Sequence, residues 1–205
     1  MSRDREILDA AAALFYEKGF HGVGVDQIGE RVGISGPALY RHFSGKDEIL
    51  ATLLNETLDE LITAAAAVYE DPQQDLERLI RHHVEFSIEH RHLINVYQRE
   101  VRSLVDPWRR QYNRRMQQYA SRWQEAIGRC FPGASEAHVA AATQAAIGLI
   151  HSVTYWPPSV LKAEDLADFL ARLVHDGLST LDRPDGSAPA VPVAVPAAGR
   201  TRARR

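Results

Sequence analysis

Between residues 35 and 46 the chain reads SGPALYRHFSGK. Small residues come first, then a phenol, a guanidinium, an imidazole and, after a break, an ammonium. These groups suit the backbone and base edges of a nucleic acid. Tyr40 can give a hydroxyl to a phosphate, and Arg41 can pair with a phosphate or with guanine. Lys46 stands where a helix should begin, so its charge adds to free backbone N–H groups, a natural phosphate site. Gly36, Pro37 and Ala38 lack bulk, which lets the backbone approach a major groove. Val25, Gln27, Ser35 and His42 complete the candidate DNA-facing set. The plainer alternative is a packed corner of two short helices, with Tyr40 and Arg41 on ordinary surface.

Such chemistry needs a rod held at a fixed angle. Periodicity predicts a short helix from about Val25 to Val32, with Gly33 after it. Ser35 can cap a second helix, which tolerates Pro37 in its first turn and ends near Phe43. Ile28 and Val32 form the first helix's inner face, and Ile34 packs inward from the turn. Leu39 and Phe43 anchor the second helix. Ahead of both, Ile7, Leu8, Ala11, Leu14 and Phe15 share one face of a helix that Ser2 caps and Gly19 stops. Ser44 with Asp47 resembles a capping box opening a helix from about residue 45 to 69.

Helical rhythm continues to about Leu181. Asp71-Pro72 opens a helix toward His90, and a short one spans Leu93 to Leu104. Asp106-Pro107 opens a long one to Cys130, broken by Pro132-Gly133. Ser135 starts another to Trp156, and the last covers about Ala163 to Leu181. No segment alternates with period two, so the fold class is all-α. An N-terminal three-helix helix-turn-helix domain (1–50) joins a C-terminal helical domain (51–182). Residues 183–205 are rich in Pro, Ala and Gly, which predicts a disordered tail. The arginines at its end suit either a solvated tail or loose attraction to DNA.

The 205 residues carry 24 Lys and Arg against 27 Asp and Glu, a net charge of -3. Bulk charge does not favour a nucleic acid, so any DNA contact must come from local arrangement. No apolar run reaches the roughly 18 residues a bilayer requires, and no secretion signal is legible. Cys130 is the only cysteine, which suits a reducing cytoplasm. No nucleophile elbow, phosphate loop or zinc-protease motif occurs. No catalytic residue or cofactor is therefore assigned.

Farther along, Trp108, Tyr112, Met116, Tyr119, Trp123 and Ile127 form a stripe at helical spacing. It reads as core or as the wall of a ligand cavity. Phe86, His90, Tyr97 and Trp156 join Tyr112, Met116, Tyr119 and Trp123 as candidate ligand contacts. Arg99, Arg102, Arg109, Arg110, Arg114, Arg115 and Arg122 suit a solvated face or an anionic ligand. His82, His83, His90 and His92 invite a metal reading, but no cysteine joins them and no metal site is assigned. Ala137, Ala140, Ala141, Ala142, Ala145, Ala146 and Gly148 allow close helix approach. Leu166, Phe169, Leu170, Leu173, Val174 and Leu181 make an apolar stripe on the last helix. These two helices suit a four-helix interface between copies, or an internal core.

The segment GFHGVGVDQIGERVGISGPALYRHFSGKDEIL, with the preceding Tyr16-Glu17-Lys18, resembles the N-terminal domain of the tetracycline-repressor family. The resemblance covers residues 3 to about 55. It implies a homodimer, joined through helices 135–156 and 163–181, that binds a palindromic DNA operator and releases it when a small-molecule effector enters the C-terminal domain. Tyr40 and Lys46 would be phosphate contacts. Gly36 to Ala38, Arg41 and His42 would face the groove. Val23 and Gly24 stand where family members often carry two threonines, so a side-chain phosphate contact is missing. The segment SIEHRHLINVYQREVRSL is similar to regulators of lipid or steroid breakdown that sense coenzyme A thioesters. The alternatives are a ligand-independent or activating DNA-binding protein, and a helical enzyme.

Overall fold

A computed structural model describes residues 2–182; the tail expected at 183–205 lies outside them. All regular structure among the described residues is helical, with no strand. Helix α1 (Arg3–Lys18) starts at Ser2, whose hydroxyl accepts the Arg5 N–H. Its Ile7, Leu8, Ala11, Leu14 and Phe15 are buried. Helices α2 (Val25–Arg31) and α3 (Gly36–Leu39) follow. The Ser35 hydroxyl accepts the Ala38 N–H and opens α3.

Helix α3 is shorter than periodicity predicts. After Leu39 the bonds tighten, with Arg41 N–H reaching Ala38 and His42 N–H reaching Leu39. The rod runs on to Phe43 as turns, so Tyr40, Arg41 and His42 stand on a tightened end.

Helix α4 (Lys46–Ala65) runs out of the N-terminal unit into the larger one. Its start differs from the expected capping box. Glu48, not Asp47, reaches back and accepts the Ser44 N–H at 2.6 Å. That bond holds the Glu48 carboxyl below its usual range.

Then come α5 (Pro72–Glu89), α6 (Arg91–Glu100), α7 (Trp108–Cys130), α8 (Glu136–His151) and α9 (Leu166–Leu178). Asp71 caps α5 as its Asp-Pro pair predicts. Asp106 does not repeat the device. Helix α7 starts at Trp108, and the Asp106 carboxylate pairs with Arg109 and Arg110 instead. Helix α7 packs on α4, α5 and α8, α9 packs on α5, and α1 rests on α6.

One buried apolar cluster runs from Ile7 to Leu178 through every layer. Burying it is the dominant stabilising contribution. An ionic knot fastens the loop between α4 and α5. Asp75, fully buried, accepts two bonds from Arg122 at 2.6 and 2.7 Å and one from Arg129 at 3.2 Å. Burial alone would raise the Asp75 carboxyl, but Arg122 and the Tyr69 N–H hold it below the usual range.

Candidate DNA interface and internal cavity

The angle between α2 and α3 is fixed by backbone contact. A Cβ at Gly29 would lie 2.7 Å from the Ile34 carbonyl oxygen, so only glycine lets the turn close. Ile34 N–H donates to the Gly29 carbonyl at 2.9 Å across the same junction. Sequence reasoning missed Gly29, because a mid-helix glycine carries no groove chemistry of its own. Gly36 is placed differently from its expected role. It is buried against α2, and a Cβ there would lie 2.1 Å from Asp26 Oδ1. It permits helix contact and does not face outward.

Of the other DNA candidates, Gln27, Ser35, Pro37, Tyr40, Arg41 and His42 are exposed, Tyr40 at 56%. Ala38 is half-buried. Val25 packs against the core. Gln27 Oε1 accepts the Gly24 N–H at 3.2 Å, which caps α2 where a threonine hydroxyl is absent. His42 Nδ1 lies 2.6 Å from Asp4 Oδ1, so its ring is tied back to α1.

Lys46 needs a correction. Its Nζ donates to the carbonyls of Phe20 and Val23 at 3.1 and 3.0 Å and lies 4.5 Å from the Phe20 ring centre. Two of three ammonium donors are committed to holding the 20–23 turn on α4. The spacing that suggested a free cation cannot reveal that turn. Arg3, Arg5 and Arg31 pair with Glu6, Asp9 and Glu17. Among the described residues Arg41 has no such partner, and it projects from the rod.

In the larger unit a cavity lies where α4, α5, α6, α7 and α8 meet. Its apolar wall is Leu54, Leu58, Leu61, Ile94, Met116 and Ile147, and its polar atoms come from Thr57, His83, Tyr97, Tyr112, Tyr119 and His151. The volume is about 20 Å³, room for one water.

The expected ligand set divides. Tyr97, Tyr112, Met116 and Tyr119 line this space; Phe86, His90, Trp123 and Trp156 do not. Phe86 stacks with His82 and lies 4.6 Å from the tilted ring of His90, and His90 ends α5. Trp123 is fully buried behind His83, its ring centre 5.6 Å away. Trp156 packs on the core edge.

Inside, Tyr119 Oη lies 2.9 Å from His83 Nδ1, and His83 Nε2 lies 3.0 Å from His151 Nε2. Burial pushes both imidazoles down, His151 to about 4 and His83 well below its ordinary value. It pushes the Tyr112 and Tyr119 phenols up. No group of three metal-ligating side chains occurs among the described residues. The arginines do not converge on the cavity. Arg99 reaches the Tyr16 carbonyl, Arg115 reaches Asn55 and Asp59, and Arg122 is in the Asp75 knot.

The cavity and the N-terminal unit share α6. Ile94 and Tyr97 face the cavity, while at the same helix's end Glu100 Oε1 accepts the Phe20 N–H at 3.2 Å. Beyond α6, Ser103 Oγ lies 3.2 Å from His21 Nε2.

Two short helices joined by a tight turn and carried on a helical body form a helix-turn-helix arrangement. Residues 7–53 match the bacterial regulatory proteins of the tetR family, and residues 69–178 match a tetracyclin repressor-like C-terminal domain. The chain belongs to the tetracycline-repressor family. That family is one of regulatory proteins, which sets aside the helical-enzyme alternative.

The transcriptional repressor KstR2 of Mycobacterium tuberculosis is 34% identical over 114 residues, 54% of this chain and 57% of that one. The transcriptional activator FasR of Mycolicibacterium smegmatis is 35% identical over 77 residues, 38% of this chain and 35% of that one. The chain thus spans between a third and just over half of these relatives.

A tetR-family protein from Rhodococcus RHA1 superposes with a TM-score of 0.77 at 23% identity, covering 90% of this chain and 100% of that one. AibR, solved with isovaleryl coenzyme A and operator DNA, superposes with a TM-score of 0.73 at 17% identity, covering 85% and 97%. These likenesses establish the fold. No helix among the described residues is long and apolar enough to cross a membrane.

Proposed function

We propose that the chain is a cytoplasmic DNA-binding transcriptional regulator, a repressor that leaves its operator when a small molecule enters the cavity. The observation that carries this is the projecting rod at 35–43, with Tyr40 and Arg41 exposed on an end that α2 holds rigidly. Tyr40 and Arg41 contact phosphates or base edges, Ser35, Pro37 and Ala38 approach the groove, and Gln27 lies at the phosphate backbone. Lys46 supports that surface by fixing the 20–23 turn and has one donor left for a phosphate.

A palindromic operator requires two copies. Ala137, Ala141, Ala145, Gly148 and Leu149 form an exposed face of α8, and Phe169 (53% exposed) and Leu173 (44%) an exposed face of α9. A homodimer through these faces places its two rods in successive major grooves, about 34–36 Å apart. An effector that widens the cavity shifts α6, and Glu100 carries that shift to Phe20. Operator affinity then falls by the effector's preference for the widened form.

KstR2 is named a ketosteroid regulator and AibR was solved with an acyl coenzyme A, which supports a lipid, steroid or acyl thioester metabolite as effector. FasR is named an activator, so activation is the second reading. Footprinting the promoter beside the chain's own gene should show a protected palindrome. Tyr40→Ala with Arg41→Ala should abolish the footprint; an unchanged footprint would defeat the assignment.

A further inference from the structure

We propose that the His83–His151 pair, backed by Tyr119, is the polar anchor of the cavity and selects an uncharged, mainly apolar molecule carrying a carbonyl or hydroxyl oxygen. The inference rests on reading the cavity as the effector site, and it names the effector's chemistry.

A nitrogen–nitrogen separation of 3.0 Å requires one N–H between the two rings. Two arrangements satisfy it. If Tyr119 donates to His83 Nδ1, His83 Nε2–H donates to His151, which then carries its own proton on Nδ1. If His83 Nδ1–H donates to Tyr119, every bond reverses and His151 Nδ1 becomes an acceptor. The chain can therefore offer a donor or an acceptor at its free end without gaining charge. A carbonyl meets the first arrangement, and a hydroxyl meets either.

The rest of the wall excludes ions. None of its lining side chains is a carboxylate, ammonium or guanidinium. The two imidazoles resist protonation because they are buried, so they supply no cation near neutrality. Arg115, the guanidinium near Tyr112, is held by Asn55 and Asp59. A carboxylate or ammonium drawn into this space would lose its hydration with no counter-ion. The acyl part of a thioester qualifies through its carbonyl with its charged carrier left outside this space, whereas the free acid does not.

An eight-carbon probe set at pH 7.5 tests this on the full chain: octan-2-one, octan-1-ol, n-octane, octanoate and octylamine. Binding is read by quenching of tryptophan fluorescence, since Trp123 lies against His83, and by calorimetry. The ketone and alcohol should bind about tenfold or more tighter than the other three. Tyr119→Phe, which deletes one hydroxyl, and His151→Asn should each shrink the ketone's advantage over octane while octane binding stays constant. Nitrogen-15 spectra of labelled histidine should show neutral rings whose tautomer populations change when ketone is added.

Equal binding of octanoate or octylamine overturns the proposal, as does failure of all five probes. So does a ketone advantage that survives in Tyr119→Phe, a variant that keeps the ring and the packing. Operator binding is measured separately. Probe binding without operator binding would defeat the regulator reading alone, and operator binding with indiscriminate probe binding would defeat the anchor alone.

Discussion

Glu100 and Phe20, far apart in sequence, meet where a buried carboxylate oxygen accepts a backbone N–H at 3.2 Å. The same Phe20 gives its carbonyl to Lys46. One short turn is thus held from α6 on one side and from α4 on the other. A shift of α6 would therefore reach the turn that leads into α2.

Glu100→Ala should leave the Phe20 N–H unpaired and lower stability by about 1–3 kcal/mol. It should also separate the two activities. Effector binding by calorimetry should persist, while effector-driven operator release weakens several-fold. Release that remains as complete as in the parent protein would remove Glu100 from the path.

Gly29→Ala places a methyl group 2.7 Å from the Ile34 carbonyl oxygen, closer than real contacts permit. The two helices must part, at a cost of about 1–3 kcal/mol. Operator affinity should fall by far more than the melting temperature suggests, because the rod's angle changes. Gel shifts beside thermal melts check this.

Arg41 and Lys46 should respond differently to truncation. Arg41→Ala removes an exposed side chain and should leave stability within about 0.5 kcal/mol. It should still weaken operator binding and reduce the salt slope by about one. Lys46→Ala removes two bonds to carbonyls and should lower the melting temperature as well. Identical melting curves for the two variants would contradict the Lys46 geometry.

Acid should unfold the protein through the histidine pair. An unfolded imidazole takes its proton near pH 6.5, whereas folded His151 takes it at about 4 because of its burial. Between those values the unfolded chain binds the extra proton, so stability falls as pH drops through that window. Above about pH 6.5 the pair adds no slope. His83 acts in the same direction, with Tyr97, Tyr112, Tyr119 and Thr57 facing the pair and His82 the next titratable neighbour. Each group contributes about 1.4 kcal/mol per pH unit. Urea melts at pH 7 and 5 should show a smaller drop for His151→Asn than for the parent.

The sequence exposed what is local. Ser2, Ser35, Asp71 and Ser135 all cap helices where their spacing says, because a cap depends on the next three residues alone. The stripe on α7 includes Tyr112, Met116 and Tyr119, which line the cavity. The same periodicity also offered Trp123, which lies one layer too deep. A helix face is legible from sequence, but the depth of each position depends on how neighbouring helices cross.

Leu54, Leu58 and Leu61 were invisible as cavity wall, since apolar residues at helical spacing look like any core. His151 carried no signal, for its partner His83 lies 68 positions away. Its role follows only from the packing of α8 against α5. Gly36 and Lys46 were placed on the right segment but given the wrong surroundings for the same reason.

If the cavity takes the proposed effector, a void with room for one water would set the tempo of response. An effector could not drop into so small a space at the rate of collision; the helices that line it would first have to separate. Uptake should therefore level off at high effector concentration, at the frequency of helix parting, and should quicken steeply on warming. In the proposed regulator the effector's arrival would thus be timed by the protein's own motion and not by diffusion.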